Sequence, residues 1–284
     1  MSAFSDQAFG GNGCVVVHGA ADLNLETRLN IVRETSLRQC TFIEPSDVAD
    51  FRFRIYLASR EVPFAGHPTL AGVASLMHRG LLSGRKIIVV THAGIVPLEV
   101  LDDGQISMTQ IAPEFGANVP AQLVADAVSL SAMMISSLHH KSFPWGCSSQ
   151  WRLFEMRDAL GRAKLDIPAV NRMSNEVGAP NLDIMEPFLV TLEGATSAGD
   201  TFSRLLLAPP NLTQDPFTGS ATGAMASYLW SKGLIESLTF IAEQGHDMGR
   251  PGQAFVEVLG SCSDIMGVKL AGKAYVIMSG HIHL

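Results

Sequence analysis

The 284 residues are enough for two domains of ordinary size, each with its own core. A composition 47% hydrophobic and 17% charged, with no low-complexity tract, is that of a globular chain. A formal charge of −7 with no basic stripe argues against nucleic acid and anionic membranes as partners, and no apolar run reaches the roughly 18 residues of a membrane span.

Met1–Asp6 lacks the basic and apolar regions of a signal peptide. Cys14, Cys40, Cys147 and Cys262 show neither metal-type spacing nor a disulfide framework, so reduced thiols in a cytoplasmic protein are expected. A Gly-rich turn at Gly10-Gly11-Asn12-Gly13 leads into a strand at Cys14–His18. The spacing of Leu25, Leu29 and Val32 predicts a helix over Leu25–Thr35, capped by Asp22 or Asn24. Strands are expected at Thr41–Ile43 and at Phe51–Ala58, where Phe51, Phe53, Ile55 and Leu57 alternate with more polar residues. After a helix at Thr69–Met77 come strands Lys86–Thr91 and Ile95–Leu101, then an Asp102-Asp103-Gly104 turn into Gln105–Gln110.

The stretch Ala112 to Pro120 reads as the crossing between halves, giving a first domain of residues 1–115 plus 274–284 and a second of 116–273. In the second, a helix is expected at Gln122–Ala127 and strands near Met133–Ser137 and Trp151–Met156. Helices around Arg157–Leu160 and Ile167–Asn175 and a strand at Phe188–Leu192 follow. Phe202–Ala208, a helix at Thr222–Trp230 and strands near Leu238–Ala242, Ala254–Val258, Gly267–Ala271 and Ala274–Met278 complete the chain.

One segment occurs twice. Phe64–Gly80 aligns without gaps on Phe217–Gly233, a shift of 153 residues, with Phe64/Phe217, Gly66/Gly219, Thr69/Thr222, Ala71/Ala224, Leu76/Leu229 and Gly80/Gly233 identical. Arg54-Ile55-Tyr56-Leu57-Ala58 likewise matches Arg204-Leu205-Leu206-Leu207-Ala208. Both repeated helices are apolar or small on every side, which fits burial within curling strands or between a sheet and the other half. Each opens after a glycine turn, Ala65-Gly66-His67-Pro68 and Thr218-Gly219-Ser220-Ala221. Helix starts offer backbone N–H groups and a positive dipole end, so two of them could hold one carboxylate between the halves. For one copy alone, a tight turn before a buried helix is the favoured explanation of the glycines; two copies bearing His67, Ser220 and Asp215 favour a site.

Pro63-Phe64-Ala65-Gly66-His67-Pro68-Thr69 and Asp215-Pro216-Phe217-Thr218-Gly219-Ser220-Ala221 resemble the signatures of PhzF-like phenazine-biosynthesis isomerases. So do Phe9-Gly10-Gly11-Asn12, Gln244-Gly245 and Gly249-Arg250-Pro251. The resemblance implies an α+β fold of the diaminopimelate epimerase type, two pseudo-symmetric domains, each a mixed β-barrel around a central buried helix. It also implies a homodimer and cofactor-free proton transfer on a small carboxylate. Epimerase relatives carry cysteines at the two helix starts, where this chain has Ala65 and Thr218, so two-thiol racemase chemistry is not expected. By the resemblance His67 and Asp215 are catalytic, and Gly66, Gly219 and Ser220 bind substrate.

The family's base, the glutamate of a Ser-Glu-Thr motif, does not carry over: the aligned residues are Arg38-Gln39-Cys40. Glutamine can orient a substrate but cannot take its proton. Arg38 either adds a fixed cation that favours an acidic ligand or points to solvent. Three outcomes are open: Asp215, with or without His67, moves the proton; Glu44, Glu61 or another carboxylate reaches in; or the chain is a catalytically inactive carboxylate-binding or interaction protein. Asp215 could also be only a helix N-cap. His139-His140 and His281-Ile282-His283 lack carboxylate or cysteine partners, so no metal is expected. Gly146–Ser149 reads as a turn, Asn211-Leu212-Thr213 as only a formal glycosylation site, and Gly10–Gly13 not as a dinucleotide fingerprint.

Overall fold

The computed structural model describes residues 1–115, 119–132, 135–142, 148–154, 157–176, 186–208 and 213–284. Two compact units share the chain: residues 1–110 with 269–284, and residues 111–268.

The first unit contains β1 (Ser2–Ala3), β2 (Asn12–His18), α1 (Leu25–Thr35), β3 (Gln39–Glu44), β4 (Phe51–Tyr56), β5 (Glu61–Val62), α2 (Gly66–His78), β6 (Lys86–Thr91), β7 (Gly94–Val100) and β8 (Ile106–Ile111). Its sheet is mixed. β2 runs parallel to β3 and β4 parallel to β6, while β3–β4, β4–β5, β6–β7 and β7–β8 are antiparallel. Helix α1 has the expected bounds. Asn24 caps it by accepting from the Thr27 N–H, and Ser36 ends it in the left-handed region. Its anchor is Arg28, 2% exposed, which donates to the carbonyls of Ala20 and Leu23 and pairs with Glu44 at 2.5 Å. The guanidinium also stands over the Phe42 and Tyr56 rings, 5.3 and 5.8 Å from their centres. A charge this deep is stable only when paired and hydrogen-bonded all round.

The second unit repeats the plan with an added helical layer. It contains α3 (Ala121–Ala127), β9 (Ile135–Ser142), β10 (Ser148–Phe154), α4 (Arg157–Arg162), α5 (Ile167–Glu176), β11 (Glu186–Thr191), β12 (Thr201–Leu206), β13 (Gln214–Asp215), α6 (Gly219–Ser231), β14 (Thr239–Gln244), β15 (Gly252–Ser261) and the first part of β16 (Asp264–Gly272), whose residues from Lys269 on belong to the first unit. β10–β11 and β12–β14 are parallel; β9–β10, β11–β12, β12–β13 and β14–β15 are antiparallel. A short strand, β17 (Ala274–Tyr275), belongs to the first unit, where β1 pairs with both β2 and β17. The expected strand to Met278 stops there. Residues 143–147, including Gly146 and Cys147, and Asn211-Leu212 lie outside the described residues.

The internal repeat extends well beyond the helices. The Asp50 side chain accepts from the Ile88 N–H (2.8 Å) while its own N–H donates to the Ile88 carbonyl; Asp200 and Ile241 make the same pair of bonds. Arg54 Nε donates to Glu61 at 2.9 Å and Arg204 Nε to Gln214 at 2.8 Å. Gly80 (φ +66°) and Gly233 (φ +62°) end α2 and α6 in matching left-handed turns, with Leu81 and Leu234 N–H groups reaching back to Leu76 and Leu229. Both helices are buried as their all-round apolar sequences require: every residue from Gly66 to Leu76, and Gly219 with Ala221 to Leu229.

Two tests follow from this packing. A Cβ at Gly72, in the middle of α2, would sit 2.6 Å from the ring of Phe53, which is itself fully buried. Gly72→Ala is therefore expected to lower unfolding free energy by about 1–3 kcal/mol in urea titrations, despite alanine's better helix propensity. His18 bonds Ser75 Oγ at 2.8 Å, and burial, with the Arg79 charge adding to it, holds its imidazole below the usual pKa. The unfolded chain then takes up this proton before the folded chain does. Stability is intact above the unfolded pKa of about 6.5 and falls as pH drops through it toward the lower folded value. His18→Gln should flatten that part of the Tm–pH curve.

Candidate active site

The two helix starts are built alike. Ala65 and Thr218 are the N-cap residues, neither using its side chain as a cap, and the Thr69 and Thr222 hydroxyls both fold back onto the N-cap carbonyls at 2.8 and 2.9 Å. Pro68 occupies the first turn of α2, where no N–H is needed. The first-turn N–H groups have no partner within the helix, so each start is a cluster of oriented donors.

In the first unit, Gly66 and His67 lie at the start of α2, and His67 is only 7% exposed. Gln39 opens β3, half-buried, beside Arg38. The Thr41 hydroxyl, two residues along, donates to the Pro68 carbonyl at 2.8 Å. Side chains two apart share a strand face, so Gln39 lies on the face that meets the start of α2. Glu34 is exposed on α1.

In the second unit, Asp215, Gly219 and Ser220 come together. Asp215 is not the N-cap of α6. It closes β13, 4% exposed, and its Oδ2 accepts from Thr218 Oγ1 at 2.6 Å. Gln244, 1% exposed at the end of β14, braces this corner: its Oε1 accepts the Thr218 N–H at 3.0 Å, and its Nε2 donates to the Asp215 carbonyl at 2.7 Å. Gln244 Nε2 also lies 3.2 Å from Thr218 Oγ1. The next residue must be glycine. Gly245 has φ +82°, and a Cβ there would lie 2.4 Å from the Pro216 carbonyl oxygen. Thr218 and Ser220 are half-buried, and Asp215 is buried beneath them. Thr218 and Gln244 were not identified as site residues by sequence. The signals were Gln244-Gly245 in the family-like strings and Thr218 at the position where epimerase relatives carry a cysteine.

Other candidates are occupied elsewhere. Glu44 pairs with Arg28. Glu61 receives both Arg54 nitrogens and the Tyr56 hydroxyl; burial alone would raise its carboxyl, but the Arg54 bonds hold it below the usual range. Neither is a base that reaches into the site. Burial pushes the thiols of Cys14 and Cys40 up to about 12 and about 11, so neither supplies a thiolate at neutral pH. Among the described residues, no group of three or more His, Cys, Asp or Glu could hold a metal.

Gln244→Leu removes the bonds to the Thr218 N–H and the Asp215 carbonyl while keeping side-chain volume near constant. Leaving both groups buried and unmet is expected to destabilise the second unit by at least about 2 kcal/mol in equilibrium unfolding.

Residues 1–280 match the PhzC-PhzF family model, described as phenazine biosynthesis-like protein. The Bacillus subtilis protein named uncharacterized isomerase YfhB is 29% identical, with 90% of this chain and 88% of that protein covered. The trans-2,3-dihydro-3-hydroxyanthranilate isomerase of Pseudomonas chlororaphis is 26% identical, over 100% and 98%. The crystal structure of a Bacillus anthracis phenazine biosynthesis protein of the PhzF family superposes with a TM-score of 0.85 over 96% of this chain and 93% of that one, at 24% identity. Paired helix starts on a duplicated scaffold and a match over nearly the full length point the same way: the chain belongs to the PhzC-PhzF, phenazine biosynthesis-like family, a family of isomerases.

Proposed function

We propose that this enzyme moves a carbon-bound proton within a small carboxylate substrate without a cofactor. In this reading His67 and Asp215 are the acid and base groups. Gly66, Gly219 and Ser220 present donors to the substrate carboxylate, Gln39 orients the substrate without titrating, and Arg38 adds a fixed positive charge. The observation that carries it is the corner at α6, where a buried carboxylate is held by Thr218 and braced by Gln244 beside a helix start. Such preorganisation favours charge that develops during reaction. The family membership supports the reaction class. The relative from Pseudomonas chlororaphis supports a cyclic, conjugated hydroxy-amino acid as the first substrate to try. Burial of α2 and α6 on all sides supports a barrel wrapped around each helix, and the PhzF-like resemblance supports a cytoplasmic homodimer.

A second reading keeps the binding and drops the chemistry, because Gln39 stands where the resemblance places the base. Proton NMR in D2O separates them, with trans-2,3-dihydro-3-hydroxyanthranilate and a panel of hydroxy- and amino-acids as probes. The enzyme is expected to exchange a C–H for deuterium, and Asp215→Asn to slow the exchange by about 10²-fold or more. Line broadening of a probe without any exchange would favour the binding protein.

A further inference from the structure

We propose that the outer face of the first unit's sheet carries a separate binding site for a small oxyanion, a carboxylate or a phosphate, gripped by Arg52 and Arg54. The site lies within one unit and does not depend on the isomerase reading.

Strand geometry sets the face. Arg52 and Arg54 are two apart on β4 and share a side of the sheet, while Phe53 between them meets Gly72 of α2. Glu44 is opposite Arg52, and Glu61 is opposite Tyr56, so both carboxylates stand on the arginine side. Phe42 and Tyr56 pack with α1 on that same side, the reverse of the one on which Thr41 reaches the start of α2. A cavity of about 270 Å³ opens there between Glu44, Arg52, Arg54, Glu61, Thr91 and His92. That volume is near the lower end for small-molecule sites.

The internal repeat shows what a guanidinium at this place takes up. Arg54 is opposite Phe42 as Arg204 is opposite Leu189, and Arg52 is opposite Val90 as Phe202 is opposite Glu243. The Arg204 side chain is 7% exposed. Its Nε bonds Gln214 and pairs with Asp247 at 2.9 Å, and its Nη1 donates to the carbonyls of Leu160 and Ala163. Helix α4 and the residue after it supply those carbonyls, and Phe202 packs into the same helical layer. The first unit has α1 in place of that layer. It packs on Phe42 and Tyr56 and leaves the Arg54 side chain 37% exposed. Glu61 takes Arg54 Nε and Nη2 at 2.9 and 2.6 Å, so Nη1 remains to meet a ligand. Among the described residues the Arg52 guanidinium has neither a hydrogen bond nor an ion pair.

Charge decides the sign of the ligand. Glu61 is spent on Arg54, and Glu44 on Arg28 at 2.5 Å. Arg52 is the surplus, so the lining carries net positive charge, and the exposed His92 adds a ring N–H at the rim. Thr91 is occupied, donating to the Gly94 carbonyl and accepting from the Ala93 N–H. Guanidinium forks match the paired oxygens of carboxylates and phosphates, and here two of them share one side. The two glutamates nearby restrict the ligand to a small anion of low charge, since a polyanion would be repelled by them.

The test follows the arginine Nε–Hε signals in ¹H–¹⁵N NMR spectra during titration with inorganic phosphate and, separately, with succinate. Chloride holds the ionic strength at about 0.15 M throughout. Wild type is expected to shift and saturate below about 20 mM with at least one of the two anions. Arg52→Gln, a change at an exposed position, should weaken that binding by about tenfold or more with an unchanged melting curve. Saturation by phosphate alone assigns a phosphate ligand and by succinate alone a carboxylate; both support the site. Absence of saturation with either anion overturns it. So does binding that Ser220→Ala weakens and Arg52→Gln does not, because the anion then sits at the start of α6. Should Arg52→Gln lower the melting temperature, Arg52→Lys decides by keeping the charge and losing the fork. Weaker binding then supports the grip, and unchanged binding overturns it.

Discussion

The structure depends on burying two helices from their first residue onward. A helix with no wet side cannot leave its opening polar groups to water, so the protein has to meet them itself. Thr69 and Thr222 spend their own hydroxyls on the N-cap carbonyls, which also accept the first helical N–H, so the buried threonine side chains are satisfied within the helix. At α6 a third element is recruited: Gln244 leaves its strand to take the Thr218 N–H. The same need that holds the helix thus produces a fixed corner of hydroxyl, carboxamide and carboxylate. Preorganised polar groups in a dry setting are what proton-transfer chemistry uses.

The two units share a scaffold and differ in what they place on it. At equivalent positions the first unit has Val62, Ala65 and Thr91, and the second has Asp215, Thr218 and Gln244. The first unit's start carries His67, where the second has Ser220. Polar groups thus sit at matched positions but are shared unequally, so the two units carry chemically different helix starts. The scaffold positions themselves are fixed by contacts remote from the starts, the Asp50–Ile88 and Asp200–Ile241 bonds among them. Chemistry could drift between halves while those contacts kept the frame.

Much of this was legible in the sequence. The bounds of α1 and β6 followed from periodicity and capping, and the gap-free repeat showed both central helices and their burial. What escaped has physical causes. β5 and β13 are two residues each, too short to show a period of two, yet β13 carries Asp215. The second unit's strands began earlier or ended later than expected because pairing partners, not local pattern, set their ends. The engagement of Glu44 and Glu61 by arginines could not be read, since Arg28 and Glu44 are joined only by tertiary packing of α1 on β3.

The first unit is discontinuous. Ser2 pairs with Tyr275 and Ala3 with Ala274, and the Ser5 N–H bonds the Lys273 carbonyl. During synthesis the opening strand therefore waits, its edge unsatisfied, until more than two hundred residues have followed. The second unit, continuous from 111 to 268, has all its partners earlier and can close first. Order of completion then runs against order of translation. The interval in which the first half stands open is when this protein is most exposed to mispairing and proteolysis.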